Sequence, residues 1–365
     1  MAQKRLTYFD TAKGIGIFLV ILGHLQGDWF FSLSPYILPL CTFIFSFHMP
    51  LFFVISGMLI RYKNDEAADM KTLYRRRLRS LMIPYLWFSL LYLSVVVYAL
   101  IRGNIKAETL YLQLWYTLSL HGMNVLWFLP ALFGAEMLFL LIRKKTSGKI
   151  TACIILVATA AVTVCNMLLG RVAFTPGIGE RLHDLCLTLM RPVFGCAFIA
   201  IGYFVYGFFR ERDRYFHPEG LLGILLIGIN VFVHRFNGAV DFRSLVLNNP
   251  GLYFLSALSG SFGLILLCKN LPPFKPVTFF GCNSLIVMVV HNNETILYLA
   301  QNLAMLVNRY VTRARGYISY LVVVLVLVLY STLMVFLIKR FFGFLIGRPS
   351  PFDRLFTRHK AEENS

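Results

Sequence analysis

The sequence predicts an all-α polytopic integral membrane protein with about ten transmembrane helices and both termini in the cytoplasm. The chain is too apolar for an ordinary soluble domain, with 58% hydrophobic and 14% charged residues over 365 positions and a mean hydropathy of +0.69. Apolar stretches of about 20 residues recur along its whole length. Basic residues gather in alternate connections between these stretches, as they do in membrane proteins.

The predicted spans cover residues 11–27, 37–60, 80–101, 123–142, 150–169, 187–209, 219–236, 250–268, 279–302 and 317–342. An even number of spans puts both termini on one side of the membrane. That side carries 25 of the 35 Lys and Arg residues, so the positive-inside rule assigns it to the cytoplasm. The net charge of +18 follows from this bias and does not indicate nucleic-acid binding, because no basic soluble module is present.

The spans form one integral domain, 1–345, followed by a short cytoplasmic basic tail, 346–365. No long hydrophilic insert and no internal repeat interrupts them. The first apolar stretch lacks a small-residue cleavage site, so we interpret it as a retained helix and not as a signal peptide. Seven cysteines stand singly without C-x-x-C spacing, and this predicts neither a disulfide framework nor a zinc knuckle.

The first span carries an acid at Asp10, a base at Lys13 and an imidazole at His24. Eleven residues separate Lys13 from His24, which corresponds to about three helical turns and ~16 Å along one face. Lys13 is therefore expected at the cytoplasmic entry and His24 near the middle of the membrane. Asp10 lies one turn before Lys13 and is expected to pair with it.

Two further histidines, His48 in the second span and His291 in the ninth, are expected at the depth of His24. Ionisable groups so deep usually face a protein interior or a wet cavity. Burial keeps an imidazole neutral, the form that accepts a proton from a hydroxyl. Interhelical hydrogen bonding is the structural alternative. A metal site formed with Glu294 is a further alternative, but no ligand spacing indicates one and no metal is expected.

The ninth span is expected to present a polar stripe toward the protein interior. Its polar residues recur at helical spacing and are broadened by neighbouring asparagines. The stripe and its neighbours are Asn283, Ser284, His291, Asn292, Asn293, Glu294, Thr295 and Tyr298.

Four stretches resemble the membrane acyltransferase-3 family, especially its stand-alone branch that includes fucose 4-O-acetylase-like proteins. They are FDTAKGIGIFLVILGH, FSFHMPLFFVISGMLI, RRRLRSLMIPYLWF and VLWFLPALF. The resemblance implies transfer of an acyl group, commonly acetyl from cytoplasmic acetyl-CoA, to a hydroxyl. The acceptor would be a glycan or lipid-linked sugar handled at the outer side of the bacterial plasma membrane.

The resemblance also implies roles for particular residues. Lys13 and His24 match a motif of a basic residue, ten intervening positions and a histidine, in which many members have arginine where this chain has Lys13. Arg76 and Arg79 match an R-x-x-R motif and would hold CoA phosphates, which favour arginine forks. The neighbouring basic residues Lys71, Arg75 and Arg77, with Arg61, are interpreted as topogenic.

His24 is the expected general base, with Lys13, Asp10 and His291 as further catalytic candidates. Asp10 also suits a purely supporting role at the helix start. The expected acceptor-side residues are His48, Trp127, Asn292 and Glu294. Trp127 would stack on a sugar or anchor the helix at the outer interface. Ser56, with Gly57, is interpreted as a helix-packing residue.

Several alternatives stay open at the level of sequence. A transporter or flippase for a polar or glycan solute is the main rival, although matching inverted halves are not apparent. A sensor or assembly factor that keeps the fold without chemistry is a third class. Direct transfer and an acyl-histidine intermediate fit equally well. The acceptor, the acyl chain length and self-association of the chain are undetermined.

Overall fold

The computed structural model describes residues 5–209, 215–312 and 316–348. Helices dominate these residues, whose only β-pairing is an antiparallel bridge between Asp241 and Val246, so the all-α prediction is confirmed. Of the predicted tail, 346–365, the part from residue 349 on lies outside the described residues. Lys4, Arg210, Arg212 and Arg214 of the charge count lie outside them as well.

The described residues form sixteen α-helices joined by short turns. In chain order they are α1 (Thr7–Gly23), α2 (Asp28–Leu33), α3 (Ile37–Phe45), α4 (His48–Tyr62), α5 (Met70–Arg77), α6 (Ile83–Ile101), α7 (Ala107–Leu118), α8 (Phe128–Lys145), α9 (Gly148–Leu169), α10 (Ile178–Tyr206), α11 (Glu219–Asn237), α12 (Pro250–Asn270), α13 (Lys275–Cys282), α14 (Ser284–Val290), α15 (Glu294–Val307) and α16 (Gly316–Phe341).

Eight helical stretches of the described chain are long and apolar enough to cross a membrane, which fits the multi-pass prediction. They are Ile37–Tyr62, Met70–Ile101, Asn124–Lys145, Gly148–Leu169, Ile178–Tyr206, Glu219–Asn237, Pro250–Asn270 and Gly316–Phe341. The first predicted span is the 17-residue helix α1. The ninth, predicted as a continuous helix over 279–302, is instead divided among α13, α14 and α15.

A π-helical turn, Leu78–Met82, joins α5 to α6. Pro84 follows it in the first turn of α6. Proline has no backbone N–H and its ring clashes with the carbonyl four residues earlier, so a regular α-helix cannot run through this point. The wider turn keeps the chain helical and sets the rotation of the arginine-rich α5 relative to α6.

Helix α1 packs closely against α13 because glycines face backbone atoms on both sides. A Cβ on Gly14 would lie 2.0 Å from the carbonyl oxygen of Val277, and one on Gly281 would lie 1.7 Å from that of Asp10. Small residues permit this approach where helices associate without a large hydrophobic driving force. On its other side α1 contacts α4, and α4 and α8 both pack against α10.

Candidate active site

A cavity of about 550 Å³ lies between α1, α4, α8 and α14. Lys13 and His24 both line it, about 16 Å apart along α1. We call one extremity the Lys13 end, which is lined by Lys13, Ser56, Leu59, Leu81, Glu136 and Ser284. The opposite extremity, the histidine end, is lined by His24, Gln26, Phe45, His48, Asn124, Asp241, Arg243 and Asn292.

Each of the three predicted histidines stands at a break in a helix. His24 directly follows the last residue of α1, and His48 is the first residue of α4 after a turn at Ser46 and Phe47. His291 directly follows α14. Interrupted helices at membrane depth are tolerated where they are buried in protein or line a cavity. His24 therefore terminates its helix, whereas the sequence predicted it within the span 11–27.

The hydrogen bonds of His24 assign its tautomer. Its Nδ1 lies 2.8 Å from the carbonyl oxygen of Val20 and 3.4 Å from Nε2 of His291. A carbonyl can only accept, so Nδ1 carries the proton, and the lone pair of Nε2 is left unprotonated. His24 thus has the basic nitrogen that general-base catalysis requires, on a side chain that lines the cavity.

His291 supports His24 from behind. Its side chain is buried and does not line the cavity, and its Nδ1 lies 2.8 Å from the carbonyl oxygen of Met288. This bond puts the proton on Nδ1 and leaves Nε2 to accept from His24. His291 is therefore placed to hold the ring of His24 and not to touch an acceptor.

His48 faces the cavity with the same tautomer as His24. Its Nδ1 donates to the carbonyl oxygen of Ile44 at 2.8 Å, so its Nε2 is unprotonated. The ring of Phe45 lies next to both imidazoles, with centroid distances of 6.2 Å to His24 and 4.9 Å to His48. The structure thus brings the three histidines to one level of the bundle.

At the Lys13 end, Asp10 joins two cations. Its carboxylate lies 3.0 Å from Nζ of Lys13 and 2.6 Å from Nε of Arg5. The hydrogen bond with Asp10 raises the pKa of Arg5, which precedes α1. Asp10 is buried and does not line the cavity, whereas Lys13 does. Asp10 therefore pairs with Lys13, as predicted.

The arginines after α4 lie beside the cavity and do not line it. Neither Arg76 nor Arg79 lines the cavity; Arg76 pairs with Asp65 at 2.5 Å, and Arg79 is exposed and forms no ion pair with a described residue. Arg77 is less exposed than Arg76, with 13% of its side chain accessible against 45%. It bridges Asp65, at 2.7 Å, and Glu136. The interpretation of Arg77 as merely topogenic is therefore incomplete.

Glu136 is a cavity residue that the sequence reasoning missed. It is buried in α8, pairs with Arg77 and accepts a hydrogen bond from Ser56, which also lines the cavity. A signal was available, because Glu136 is the one acidic residue in the predicted span 123–142. Ser56 therefore binds Glu136, while the adjacent Gly57 serves packing against α10.

Further cations gather near the Lys13 end. Lys63 follows α4, and partial burial together with the neighbouring Arg77 lowers its pKa. Lys13 and Arg76 contribute to the same positive field. A concentration of positive charge beside a cavity attracts anions.

The predicted acceptor-side residues divide into two groups. Asn292 lines the cavity and donates a hydrogen bond to Oδ1 of Asn124 at 2.8 Å. Trp127 also lines the cavity, but it is buried, with Phe242 stacked 5.8 Å away and Arg191 5.5 Å from its ring centre. Glu294 lies outside the cavity and is exposed at the start of α15.

The loop of residues 238–249 supplies two cavity residues that the sequence reasoning also missed, Asp241 and Arg243. Loop residues have no helical periodicity that would predict which of them turn inward. Among the described residues, no group of three or more His, Cys, Asp or Glu side chains is arranged to hold a metal ion.

Comparisons with known proteins identify the family of this chain. Residues 6–340 match a family described as an acyltransferase domain. Nodulation protein NolL of Mesorhizobium japonicum is 34% identical over 171 residues, which cover 43% of this chain and 42% of that protein. The match thus spans less than half of either protein, and no solved structure matches the chain. The family match extends over nearly the whole chain, which therefore belongs to the membrane acyltransferase-3 family.

Proposed function

We propose that this protein is a membrane O-acetyltransferase of the bacterial plasma membrane. It would move an acetyl group from cytoplasmic acetyl-CoA to a hydroxyl of a cell-surface glycan or lipid-linked sugar, with His24 as the general base. The single observation that carries the proposal is the unprotonated Nε2 of His24 on a cavity that extends to Lys13. The basic-residue bias supports cytoplasmic termini, and hence a cytoplasmic Lys13 end.

The donor would bind at the Lys13 end. Its phosphates would meet Lys13, Arg76 and Arg79, with Lys63 as an additional cation suggested by its position near Arg77. Arg76 would exchange part of its contact with Asp65 for phosphate, since it is 45% exposed and can reorient. The pantetheine arm would follow the cavity along α1 toward His24.

Chemistry would take place at the histidine end. Nε2 of His24 takes the proton of the acceptor hydroxyl as its oxygen attacks the thioester carbonyl carbon. The new C–O bond forms, the C–S bond breaks, and the leaving thiolate of CoA recovers the proton from His24. His48 would orient the hydroxyl through its own Nε2. Asn124, whose Oδ1 is occupied by Asn292, would offer its Nδ2 donor to the developing oxyanion.

The test is transfer of radiolabel from acetyl-CoA to glycan or lipid in membranes that contain the protein. His24→Ala should reduce the rate by about 10²- to 10⁴-fold, the usual contribution of a general base. His183→Ala is the matched control, because His183 does not line the cavity, and it should keep wild-type activity. A His24→Ala variant with near wild-type turnover would overturn the mechanism.

A second measurement separates the enzyme from a transporter or flippase. Acetyl-CoA should raise the unfolding temperature of the purified protein in detergent by mass action. A solute carrier should not respond. Wild-type protein that is denatured rapidly near neutral pH and retains label on His24 would favour an acyl-histidine intermediate over direct transfer.

A further inference from the structure

The loop of residues 238–249 forms a short hairpin that enters the bundle. Backbone hydrogen bonds of 2.9 Å join Asp241 and Val246 in both directions. Residues 242–245 form the turn between these two positions, and a backbone hydrogen bond from Leu245 to Phe242 closes it. Asp241 and Arg243 line the cavity, while Phe242 between them is 1% exposed and stacks on Phe53 at 5.1 Å. The buried Phe242 thereby fixes which way its two neighbours point.

The backbone of Arg243 is held on both sides. Asp241 accepts a 2.9 Å hydrogen bond from its amide nitrogen, and Arg191 donates to its carbonyl oxygen at 2.6 Å. Arg191 is buried and is itself held by the carbonyl oxygen of His121 at 3.0 Å. Arg243 is thus presented by a rigid frame, which reduces the entropy lost when its side chain binds a ligand.

The guanidinium of Arg243 has no acidic partner among the described residues. Asp241 is the nearest acid in the loop, but its carboxylate accepts from the backbone of Arg243 and from both the backbone and hydroxyl of Ser244. Arg191, the other cation at this end, donates to carbonyl oxygens and to His121. The guanidinium groups of Arg191 and Arg243 therefore form no ion pair with a described acidic side chain, although the carboxylate of Asp241 lines the same end of the cavity.

From this arrangement we infer that Arg243 binds an anionic group of the acceptor, so that the acylated substrate is an acidic glycan or a phosphate-bearing lipid-linked sugar. The inference rests on the proposed function, because Arg243 shares its cavity with His24. A carboxylate and a phosphate both match the planar fork of arginine in bidentate geometry. Arg243 would therefore select the acceptor and position it, while His24 does the chemistry.

The experiment follows label from radioactive acetyl-CoA into the endogenous acceptor of wild-type membranes, with the products separated by anion exchange. The label should be retained on the exchanger. Arg243→Gln should lower the initial rate into that fraction by about 10-fold or more, and Arg243→Lys by a smaller factor. Neither change should alter the response of the unfolding temperature to acetyl-CoA, because the donor binds at the Lys13 end.

Arg235→Gln is the matched control, since Arg235 is exposed near the end of α11 and does not line the cavity. It should transfer label at the wild-type rate. If amidation of the labelled product with a carbodiimide abolishes its retention on the exchanger, its anionic group is a carboxylate. If mild acid releases the labelled sugar from its lipid, the anionic group is a sugar pyrophosphate. Label in a neutral product, or a wild-type rate for Arg243→Gln, would overturn the inference alone. Absence of label from every wild-type fraction would contradict the acetyltransferase proposal itself.

Discussion

The two ends of the cavity satisfy buried polar groups in different ways. At the Lys13 end each buried acid contacts a cation: Asp10 pairs with Lys13, and both Asp65 and Glu136 pair with Arg77. At the histidine end the imidazoles are held by backbone carbonyls. His24 donates to Val20 and His48 to Ile44. The first arrangement uses charge, and the second uses neutral hydrogen bonds.

This difference matters for chemistry. A buried ion pair has both partners committed to each other, so removing one leaves an uncompensated charge. An imidazole held through Nδ1 keeps its second nitrogen available. The Lys13 end is therefore suited to hold charge and maintain the fold, and the histidine end to present reactive nitrogens. Substitutions at the Lys13 end should therefore lower mainly the stability of the protein. Substitutions at the histidine end should lower mainly the rate of the reaction.

The largest expected effect is on stability at the Lys13 end. Arg77→Gln would leave the buried carboxylate of Glu136 without a cation, whereas Asp65 would keep Arg76, at a cost of about 3 to 5 kcal/mol in the free energy of unfolding. Arg76→Gln, next to it in sequence, should cost about 0 to 1 kcal/mol because Arg76 is largely solvated. Denaturant titration of the two purified variants in one detergent measures both values.

The pair also tests the bridging role of Arg77. Adding Glu136→Gln to Arg77→Gln removes the buried charge that the single change exposes, so the double variant should recover part of the loss. Equal losses for Arg76→Gln and Arg77→Gln would show that the ion pairs at this end do not differ in strength.

The pairing of Asp10 with Lys13 and the common level of the three histidines could be predicted from the sequence. The three-residue spacing on one helix predicts the pairing, and the positions of the histidines within their predicted spans predict their common level. The choice between Arg76 and Arg77 could not be predicted in this way. The direction of each arginine depends on the rotation of α5 relative to α6, which the π-helical turn before Pro84 changes.

Glu294 illustrates a second limit. Its assignment to the polar face assumed one continuous helix over 279–302, but the chain leaves the helical path after Val290 and starts again at Glu294. The 3.6-residue period loses its meaning across such a break. Arg243 illustrates a third limit. The hairpin that carries it is held in the bundle by tertiary contacts of Phe242, and no local sequence pattern predicts those contacts.

A smaller effect, on kcat, is expected from substitutions of His291, which contacts the ring of His24. His291→Leu should lower kcat by about 10- to 100-fold, because a misplaced base acts poorly, while the KM for acetyl-CoA stays unchanged. His291→Gln should restore part of kcat, since an amide oxygen can accept the hydrogen bond from Nδ1 of His24. Equal kcat values for the Leu and Gln variants would mean that His291 only fills space.

The smallest effect concerns acid stability at His121, whose carbonyl oxygen accepts a hydrogen bond from Arg191. His121 lies between the spans, and burial together with the adjacent Arg191 lowers its pKa to about 4. Between pH 4 and the ordinary value near 6.5 the unfolded chain binds more protons, so stability should fall as the pH drops through this window. The free energy of unfolding should fall by about 1 to 2 kcal/mol from pH 6.5 to 5. Asp184 offsets part of this loss, because its carboxylate lies 3.9 Å from Nε2 of His121.

The free energy of unfolding of His121→Gln should depend less on pH than that of the wild type. Equal slopes for His121→Gln and the wild type would assign the acid sensitivity to other groups.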